Sequence, residues 1–361
     1  MPVKGIGRTK IKIIFHKRTD GSRVSLFFDT GGSADSKLLV IFVIEKAILQ
    51  KMTETRRSSG TVVKATGSWY DVLTADGQSV KCRIRGRMRL KGARSTNPVV
   101  VGDSVEIAAD GDDWTIEELH PRRNYVIRRA SNLSKESHII ASNLDRALLV
   151  ATLAEPVTAP EFLDRFLVTC EAYRIPVTIL LAKSDLNADR REEVETFCAT
   201  YRSAGYEVLE ISAATGAGID GVRRLTSEGT TLVAGNSGVG KSTLIGSLCP
   251  DEDIRTGAIS ESHRKGRHTT TFSTMYRTAS GGMIIDTPGI KGFGLIDIED
   301  AELWHYFPEM LREAPRCRFF NCTHTHEPSC AVREAVLRGE IASSRYESYL
   351  KILDEDEKYR K

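Results

Sequence analysis

A chain of 361 residues, of which 40% are apolar and 27% charged, has room for two or three domains with substantial cores. The formal net charge of +3 excludes a uniformly basic nucleic-acid binder, so any surface for RNA must be local. The seven cysteines are an odd, unevenly spaced set, and no secretory signal is recognisable. We therefore expect a cytoplasmic protein without a disulfide framework.

Residues 1–57 differ from the rest of the chain and are predicted to be an extension of doubtful status. Their one apolar run, residues 38–44, is too short to span a bilayer, so we expect no membrane anchor. Met52 precedes a polar lead into clear strand patterns, which favours it as the true start. The alternative is a targeting peptide, although Asp20 and Asp29 are unusual in such sequences.

Residues 58–126 are predicted to form a small barrel. Strand patterns separated by turns occur at residues 61–65, 69–74, 79–90, 104–108 and 114–119. Five short strands in a segment of this length are typical of an OB-type β-barrel.

The third of these strands carries a row of cations that alternate with small or apolar residues. The cations are Lys81, Arg83, Arg85, Arg87, Arg89 and Lys91. Because side chains alternate between the two faces of a strand, all six are expected on one face. Six like charges on one face repel one another, and a bound polyanion best explains why they are kept there. The row of cations therefore predicts an RNA-binding surface. The alternative is a solvated strand edge that the charges protect from aggregation.

Residues 127–297 show the alternation of strands and helices that is typical of a parallel α/β sheet. Strands are predicted at residues 145–153, 177–181, 206–211 and 230–234. Helices are predicted at residues 160–174, 188–204 and 221–225. A sheet of this kind binds its ligands at the carboxyl ends of the strands.

A glycine-rich turn follows the last of these strands and precedes a helical pattern. It has the form G-x-x-x-x-G-K-S, the phosphate loop of nucleotide-binding proteins. The predicted nucleotide-binding residues are Ala234, Gly235, Asn236, Ser237, Gly238, Val239, Gly240, Lys241 and Ser242. Lys241 is expected to reach the β- and γ-phosphates, and the Ser242 hydroxyl to bind Mg²⁺. The alternative, an ordinary glycine-rich turn, does not account for the strand and helix on either side.

A second motif, Asp286-Thr287-Pro288-Gly289, follows a predicted strand at residues 283–285. Asp286 is expected to hold Mg²⁺, usually through water, and the Gly289 N–H to sense a γ-phosphate. Thr270 lies in the polar stretch before this strand and is expected to complete the Mg²⁺ coordination when a triphosphate is bound. Alone, this motif could also be a surface turn.

The residues predicted to read the base lie before the phosphate loop. They are Ala182, Lys183, Ser184 and Asp185, after one strand, and Ser212 and Ala213, after the next. The Asp185 carboxylate can accept from N1–H and the exocyclic amine of guanine, a pattern that adenine lacks. This argues against a phosphate-loop kinase or ATPase. Because base reading precedes the phosphate loop, the order of motifs predicts a circularly permuted GTPase domain.

Residues 298–361 are predicted to form a mostly helical domain with helices at residues 331–338 and 342–359. Three cysteines and a histidine, Cys317, Cys322, His324 and Cys330, fall within fourteen residues. Cys₃His is a closed tetrahedral ligand set, which predicts one structural Zn²⁺. A group of free core cysteines is the alternative, and His326 competes with His324 as the fourth ligand.

An OB-type barrel, a permuted GTPase domain and a cysteine–histidine cluster in this order resemble the ribosome small subunit-dependent GTPase A family, RsgA or YjeQ. The resemblance implies GTP hydrolysis with Mg²⁺, stimulated by the small ribosomal subunit and its rRNA, in late maturation of that subunit. It favours His324 over His326 as zinc ligand. We further expect a monomer. The alternative is an RNA-binding assembly factor that senses GTP without turning it over.

Two catalytic expectations also come from the resemblance. Ile290 occupies the position where other GTPases place a water-positioning glutamine, and His268 is a candidate for that role. A solvent-exposed loop histidine is the alternative for His268. Ala182 departs from the family, which often has asparagine there.

Overall fold

The computed structural model describes residues 56–84, 98–110, 113–129, 137–252, 254, 273–287 and 298–360. Residues Arg57–Lys361 form one compact unit. Within the described ranges, no helix has the length and apolar character needed to cross a membrane.

The first five strands close into a barrel. They are β1 (Arg57–Thr66), β2 (Trp69–Thr74), β3 (Ser79–Ile84), β4 (Ser104–Asp110) and β5 (Asp113–Leu119). The ladder runs β1-β2-β3-β5-β4 and returns to β1, with β3 and β5 parallel and the other pairs antiparallel. Alternate side chains fill the interior, and Val62, Val72 and Ile116 are fully buried there. The predicted OB-type barrel is confirmed.

The central sheet is built from strands that alternate with helices along the chain. The strands are β8 (Arg146–Ala151), β9 (Val177–Leu181), β10 (Glu207–Glu210), β11 (Thr230–Gly235) and β13 (Met283–Asp286). The helices are α1 (Pro160–Ala172), α2 (Arg191–Ala204), α3 (Ile219–Leu225) and α4 (Lys241–Leu248). One core joins α1 and α2 to the sheet, and another joins α3 and α4 to it, so the sheet is covered by two layers of helices.

The order of strands in this sheet determines where a ligand binds. It is β10-β9-β8-β11-β13, all parallel, so the chain moves outward from β8 to β10 and then returns to the other side of β8 with β11. The carboxyl ends of β8 and β11 therefore flank the point where the strand order reverses. Open α/β sheets bind ligands at such a point.

Two features of the fold were not predicted from the sequence. An antiparallel hairpin of β6 (Tyr125–Arg129) and β7 (Ser137–Ser142) precedes the first strand of the central sheet. A short strand, β12 (Thr274–Arg277), adds to β13 in antiparallel orientation. On its other side β12 pairs with β1 of the barrel through Lys64 and Thr274, so the barrel and the central sheet share one ladder.

The C-terminal region is helical, with short helices and turns around its own core. It comprises a 3₁₀ segment Asp300–Tyr306, α5 (Pro308–Glu313), a 3₁₀ segment Ala314–Arg316, α6 (Ala331–Leu337) and α7 (Ser343–Arg360). The helix predicted at residues 331–338 ends one residue after α6 does. The helix predicted at residues 342–359 begins and ends one residue before α7 does. Phe307, Val332 and Ile352 are fully buried in this core.

A buried ion cluster joins this region to the central sheet. Arg345 of α7 donates to Asp164 of α1 at 2.6 Å and to Glu309 of α5 at 2.7 Å, and all three side chains are almost fully buried. The guanidinium also lies 4.7 Å from the centroid of the Phe307 ring. Two carboxylates facing one guanidinium keep the pKa of Arg345 well above its ordinary value, although burial alone would lower it.

Candidate functional site

The turn between β11 and α4 has the backbone of a phosphate loop. Gly235, Gly238 and Gly240 all have positive φ, at 151°, 85° and 100°. A Cβ on Gly235 would lie 2.5 Å from the carbonyl oxygen of Val150, so only glycine fits between the ends of β11 and β8. The loop therefore turns at the sheet edge and leads into the N-terminus of α4, where backbone N–H groups favour an anion.

Lys241 lies at the start of α4 and is held by the loop itself. Its ammonium donates to the carbonyl oxygens of Gly235 at 2.8 Å and Asn236 at 2.7 Å, and the side chain is buried. Burial lowers the pKa of Lys241, and the nearby carboxylate of Asp286 opposes that shift. The ammonium is thus fixed inside the loop rather than free in solvent.

Asp286 ends β13 on the strand next to the phosphate loop. Parallel pairing sets Val233 of β11 opposite Asp286, and the Thr287 hydroxyl donates to the Val233 carbonyl oxygen at 3.0 Å. Burial raises the pKa of Asp286, and the charge of Lys241 partly offsets this. Asp286 ends one strand and Lys241 follows its neighbour at the same carboxyl edge, where a Mg²⁺–triphosphate site requires a carboxylate and an ammonium.

The base-reading residues predicted from sequence come together at the ends of β9 and β10. The buried Ser212 hydroxyl donates to the Asp185 carboxylate at 2.5 Å, and the Ser184 N–H donates to the Ile211 carbonyl oxygen at 3.0 Å. Lys183 adopts a left-handed conformation, with φ at 58°. Asp185 is itself exposed, so a base can reach its side chain from solvent.

A segment that the sequence did not single out connects the two halves of the site. It follows β8 and includes Glu155 and Pro156. The Lys183 ammonium donates to the Glu155 carbonyl oxygen, and a Cβ on Gly238 would lie 3.4 Å from Cδ of Pro156. The one sequence signal for a place in the site is that this segment directly follows β8. The carboxyl end of every parallel strand is a candidate for ligand contact.

The remaining predicted nucleotide residues lie on the same loops. Ser237 and Gly238 are exposed at the tip of the phosphate loop, Ala234 and Val239 are buried beneath it, and Ser242 is half-buried in the first turn of α4. Ala182 directly follows β9, and Ala213 lies in the loop after β10. Nine predicted residues lie outside the described ranges: His268, Thr270, Gly289, Ile290, Arg85, Arg87, Arg89, Lys91 and the proposed start Met52.

The cysteine–histidine cluster is assembled in the C-terminal region. One donor atom from each of Cys317, Cys322, His324 and Cys330 lies within 4.8 Å of all the others. Nδ1 of His324 is 3.6 Å from Sγ of Cys317 and 3.4 Å from Sγ of Cys330, and those sulfurs are 4.0 Å apart. Tetrahedral zinc with Zn–S of about 2.3 Å and Zn–N of about 2.0 Å gives separations of about 3.5–3.8 Å. The cluster therefore fits a structural Zn²⁺.

The competing histidine, His326, is exposed and contacts the Thr325 hydroxyl through Nδ1 at 2.8 Å. His324 instead is 1% exposed, and burial lowers its pKa, which favours the neutral imidazole that metals bind. Its backbone is left-handed, with φ at 61°, and its carbonyl oxygen accepts from the Tyr346 hydroxyl at 2.7 Å. The geometry selects His324.

The cations of β3 that the structure describes alternate as the sequence suggested. Lys81 and Arg83 are exposed on one face, and Cys82 between them is fully buried in the barrel. Both cations lie over the ring of Trp69, the Arg83 guanidinium at 4.0 Å from its centroid and the Lys81 ammonium at 5.9 Å. An acidic residue, Asp71, stands opposite Lys81 on β2, so this face is basic but not free of negative charge.

Fold and site define a circularly permuted phosphate-loop GTPase: the base-reading loops come first, the phosphate loop second and the Asp286 motif last. Two family models match this chain, the RsgA N-terminal domain over residues 59–115 and the RsgA GTPase over residues 119–296. A Porphyromonas gingivalis protein, "Small ribosomal subunit biogenesis GTPase RsgA", is 53% identical over 310 residues, covering 83% of this chain and 98% of the relative.

Two solved structures are also similar to this chain. The crystal structure of YjeQ from Thermotoga maritima is 33% identical with a TM-score of 0.66, covering 83% of this chain and 98% of that one. The structure of YloQ, described as a circularly permuted GTPase, is 30% identical with a TM-score of 0.64, covering 85% and 96%. The chain belongs to the RsgA GTPase family, which confirms the resemblance and makes it a GTP hydrolase using GTP and Mg²⁺. The predicted domain boundaries stay predictions.

Proposed function

We propose that this protein hydrolyses GTP in response to the small ribosomal subunit during the biogenesis of that subunit. The support is the name of relatives such as the Porphyromonas gingivalis protein, which aligns over nearly its whole length. We expect the reaction in the cytoplasm, where subunits are assembled. The monomeric state stays a prediction.

In this proposal each half of the site has a distinct task. Lys241 leaves its two carbonyl partners to bind the β- and γ-phosphates, and Ser242 and Asp286 hold Mg²⁺ directly and through water. Asp185 selects guanine, with its carboxylate oriented by the Ser212 hydroxyl. The backbone at Ser212 and Ala213 contacts the guanine O6, and the Lys183 stem covers the base.

Three further roles rest on sequence and family alone. Thr270 completes the Mg²⁺ coordination, and Ile290 replaces the usual glutamine. The stretch that contains His268 and Thr270 is the proposed switch, and His268 positions the hydrolytic water once the ribosome orders it. Intrinsic hydrolysis should therefore be slow. His268→Ala should remove stimulation by the subunit; an unchanged stimulated rate would exclude this histidine from the mechanism.

The observation that carries the coupling to RNA is the position of β12. Thr274 pairs with Lys64 of the barrel on one side and with Asp286 on the other. The residues predicted to act as a switch lie immediately before this strand in sequence. RNA bound to the exposed cations of the barrel, Lys81 and Arg83 among them, would therefore act on a ladder that ends at the proposed Mg²⁺ ligand.

The experiment is GTP turnover by the full chain alone, with isolated small subunits and with isolated large subunits. We expect slow turnover alone, a rise of at least about tenfold with small subunits, and none with large subunits, because only one partner orders the switch. Equal rates in all three mixtures would contradict the proposal. GTP-dependent binding to small subunits without turnover would indicate a GTP-sensing assembly factor instead.

A further inference from the structure

Two consecutive phenylalanines project from the turn that joins the first two cysteines of the cluster. We call residues 318–321 (Arg318, Phe319, Phe320 and Asn321) the knuckle tip. The Phe320 side chain is fully exposed, at 105% relative exposure, and Phe319 is 40% exposed. A phenylalanine kept in water forgoes the stabilisation that burial of its ring in a core would contribute. Adjacent exposed aromatics therefore mark a contact surface that the isolated chain does not use.

The knuckle tip is held on a rigid base. Cys317 and Cys322, on either side of it, belong to the proposed zinc cluster, and the Cys322 N–H donates to the Phe319 carbonyl oxygen at 3.3 Å. Beneath the cluster, the Tyr349 hydroxyl donates to the Thr323 carbonyl oxygen at 2.6 Å. Aromatic rings on a fixed turn lose little conformational entropy when they bind.

The charge around the knuckle tip favours a polyanion. No aspartate or glutamate occurs between Ala314 and His326, whereas Arg316 and Arg318 are both exposed. The Arg318 guanidinium lies 5.6 Å from the centroid of the Phe319 ring. Arg316 is paired with Glu313 at 2.8 Å, so its charge is already partly used within the chain.

The nearest acidic side chain in sequence after the turn is directed inward. The Glu327 carboxylate accepts from the N–H groups of Thr323 at 2.6 Å and Thr325 at 3.1 Å. Its charge is thus used to close the turn and is not offered to a partner beside Phe320. An apolar protein pocket would explain the rings but not the arginine beside them. Unpaired RNA explains both, because each base offers a π-face and each nucleotide a phosphate.

We propose that the knuckle tip binds an unpaired nucleotide of RNA, with Phe320 stacked on the base, Phe319 beside it and Arg318 contacting the phosphate. The proposal rests on the proposed function for the identity of the RNA, which is then rRNA of the small subunit. It adds a base-stacking contact in the C-terminal region to the cationic face of the barrel. Duplex RNA is not a ligand here, because its bases are already stacked.

The test compares substitutions that separate stacking from hydrophobic contact. Phe320→Ala removes the ring, Phe320→Leu keeps an apolar side chain without a π-face, and Phe320→Trp keeps stacking. Leu337→Ala is the control, since Leu337 is an 87% exposed apolar residue in α6 of the same region. Zinc content and the circular dichroism spectrum of each variant establish that the cluster is intact.

Binding of the full-length variants to a fluorescent single-stranded oligoadenylate, at fixed salt, is the first measurement. Phe320→Ala and Phe320→Leu should weaken it about 5- to 150-fold, whereas Phe320→Trp and Leu337→Ala should not. Binding to the same strand in a duplex should be equally weak for all variants. Unchanged oligoadenylate binding by Phe320→Ala would overturn the proposal. Equal oligoadenylate binding by Phe320→Leu and Phe320→Trp would also overturn it, because that result indicates a hydrophobic protein pocket.

Affinity for isolated small subunits is the second measurement, and basal GTP turnover is expected to stay unchanged in all four variants. If oligoadenylate binding depends on the aromatic ring while small subunits neither bind nor stimulate turnover, the stacking site stands and the proposed function fails. If subunits stimulate every variant equally and oligoadenylate binding is unaffected, the proposed function stands and the stacking site fails.

Discussion

The nucleotide edge of the central sheet and the cysteine–histidine cluster are both sites for charged ligands, yet they are held in different ways. At the nucleotide edge the polar side chains have protein partners: Lys241 bonds to its own loop, and Asp185 to Ser212. In the cluster the donor atoms face one another, and Nε2 of the buried His324 has no hydrogen-bond partner among the residues that the structure describes. A sheet shapes the first site before ligand binds, whereas the second depends on its metal for order.

The largest expected effect follows from removing that metal. Binding of structural zinc contributes roughly 10–16 kcal/mol of apparent folding free energy in small domains. This exceeds the stability that the short helices around the cluster can supply. Chelation, or His324→Ala, should therefore unfold residues 298–342 while the central sheet remains folded. Hydrogen exchange followed by mass spectrometry measures this directly.

The matched control for this substitution is His326→Ala, which removes an exposed histidine two residues away and should leave protection unchanged. Equal protection of the C-terminal region from hydrogen exchange before and after chelation would contradict this prediction. It would show that the cluster, like the nucleotide edge, is folded without its ligand.

The buried ion cluster gives the next largest effect, and it tests whether the C-terminal region also has attachments independent of metal. Arg345→Met leaves Asp164 and Glu309 buried without a counter-charge and should lower the free energy of unfolding by about 3–5 kcal/mol. Urea unfolding of the zinc-loaded protein measures the loss.

Arg338→Met provides the comparison, because Arg338 pairs with Glu340 at the surface and its removal should have no measurable effect. Adding Asp164→Asn and Glu309→Gln to Arg345→Met should restore part of the stability. No recovery would indicate that packing of the arginine, and not charge, is what matters.

A smaller effect is expected at the base-reading edge, where folding and ligand selection are separate. Asp185→Asn keeps an acceptor for Ser212 but no longer accepts twice from guanine, so GTP affinity should fall about 5- to 150-fold. Affinity for xanthosine triphosphate should rise, and the unfolding midpoint should not change.

Asp189→Asn is the control for this change, since Asp189 is an exposed carboxylate on the same loop. A large drop in thermal stability with Asp185→Asn would mean that this carboxylate is structural, which would remove the distinction between a preformed site and a ligand-dependent one.

The smallest effect concerns pH. Burial raises the pKa of Asp286, so this carboxyl takes up a proton at a higher pH than an ordinary aspartate as the solution is acidified. The protonated form does not bind Mg²⁺. Affinity for Mg²⁺–GTP should therefore fall with decreasing pH, by at most about tenfold per pH unit for one proton. Calorimetry across a pH series measures it, and a slope that persists in Asp286→Asn would assign it to another group.

The sequence predicted those parts of the molecule whose signals are local. The phosphate loop, the Cys₃His spacing and the five barrel strands depend on residues close together in the chain. Arg345 and Asp164 are 181 residues apart, and a lone arginine in an amphipathic helix is ordinarily on the surface, so no local pattern indicates their contact. Strand β12 has only four residues and is defined by its partners, one of which is in the barrel.

In the candidate site, the residues that escaped prediction also lack a local sequence signal. The motifs named Asp185, Ser212, Lys241 and Asp286, but the Glu155 and Pro156 segment carries no motif and acquires its place from strand order alone. Phe320 is likewise ordinary in sequence, since only its exposure in the folded chain distinguishes it from a core residue.

The most direct test of the account is competition for a labelled Mg²⁺–GTP analogue, because it asks whether the separated motifs form one guanine-specific site. Unlabelled GTP and GDP should displace the analogue, and ATP should fail to do so even in about hundredfold excess, since adenine leaves Asp185 without its donors. Displacement by ATP at the same concentration as GTP would contradict the account.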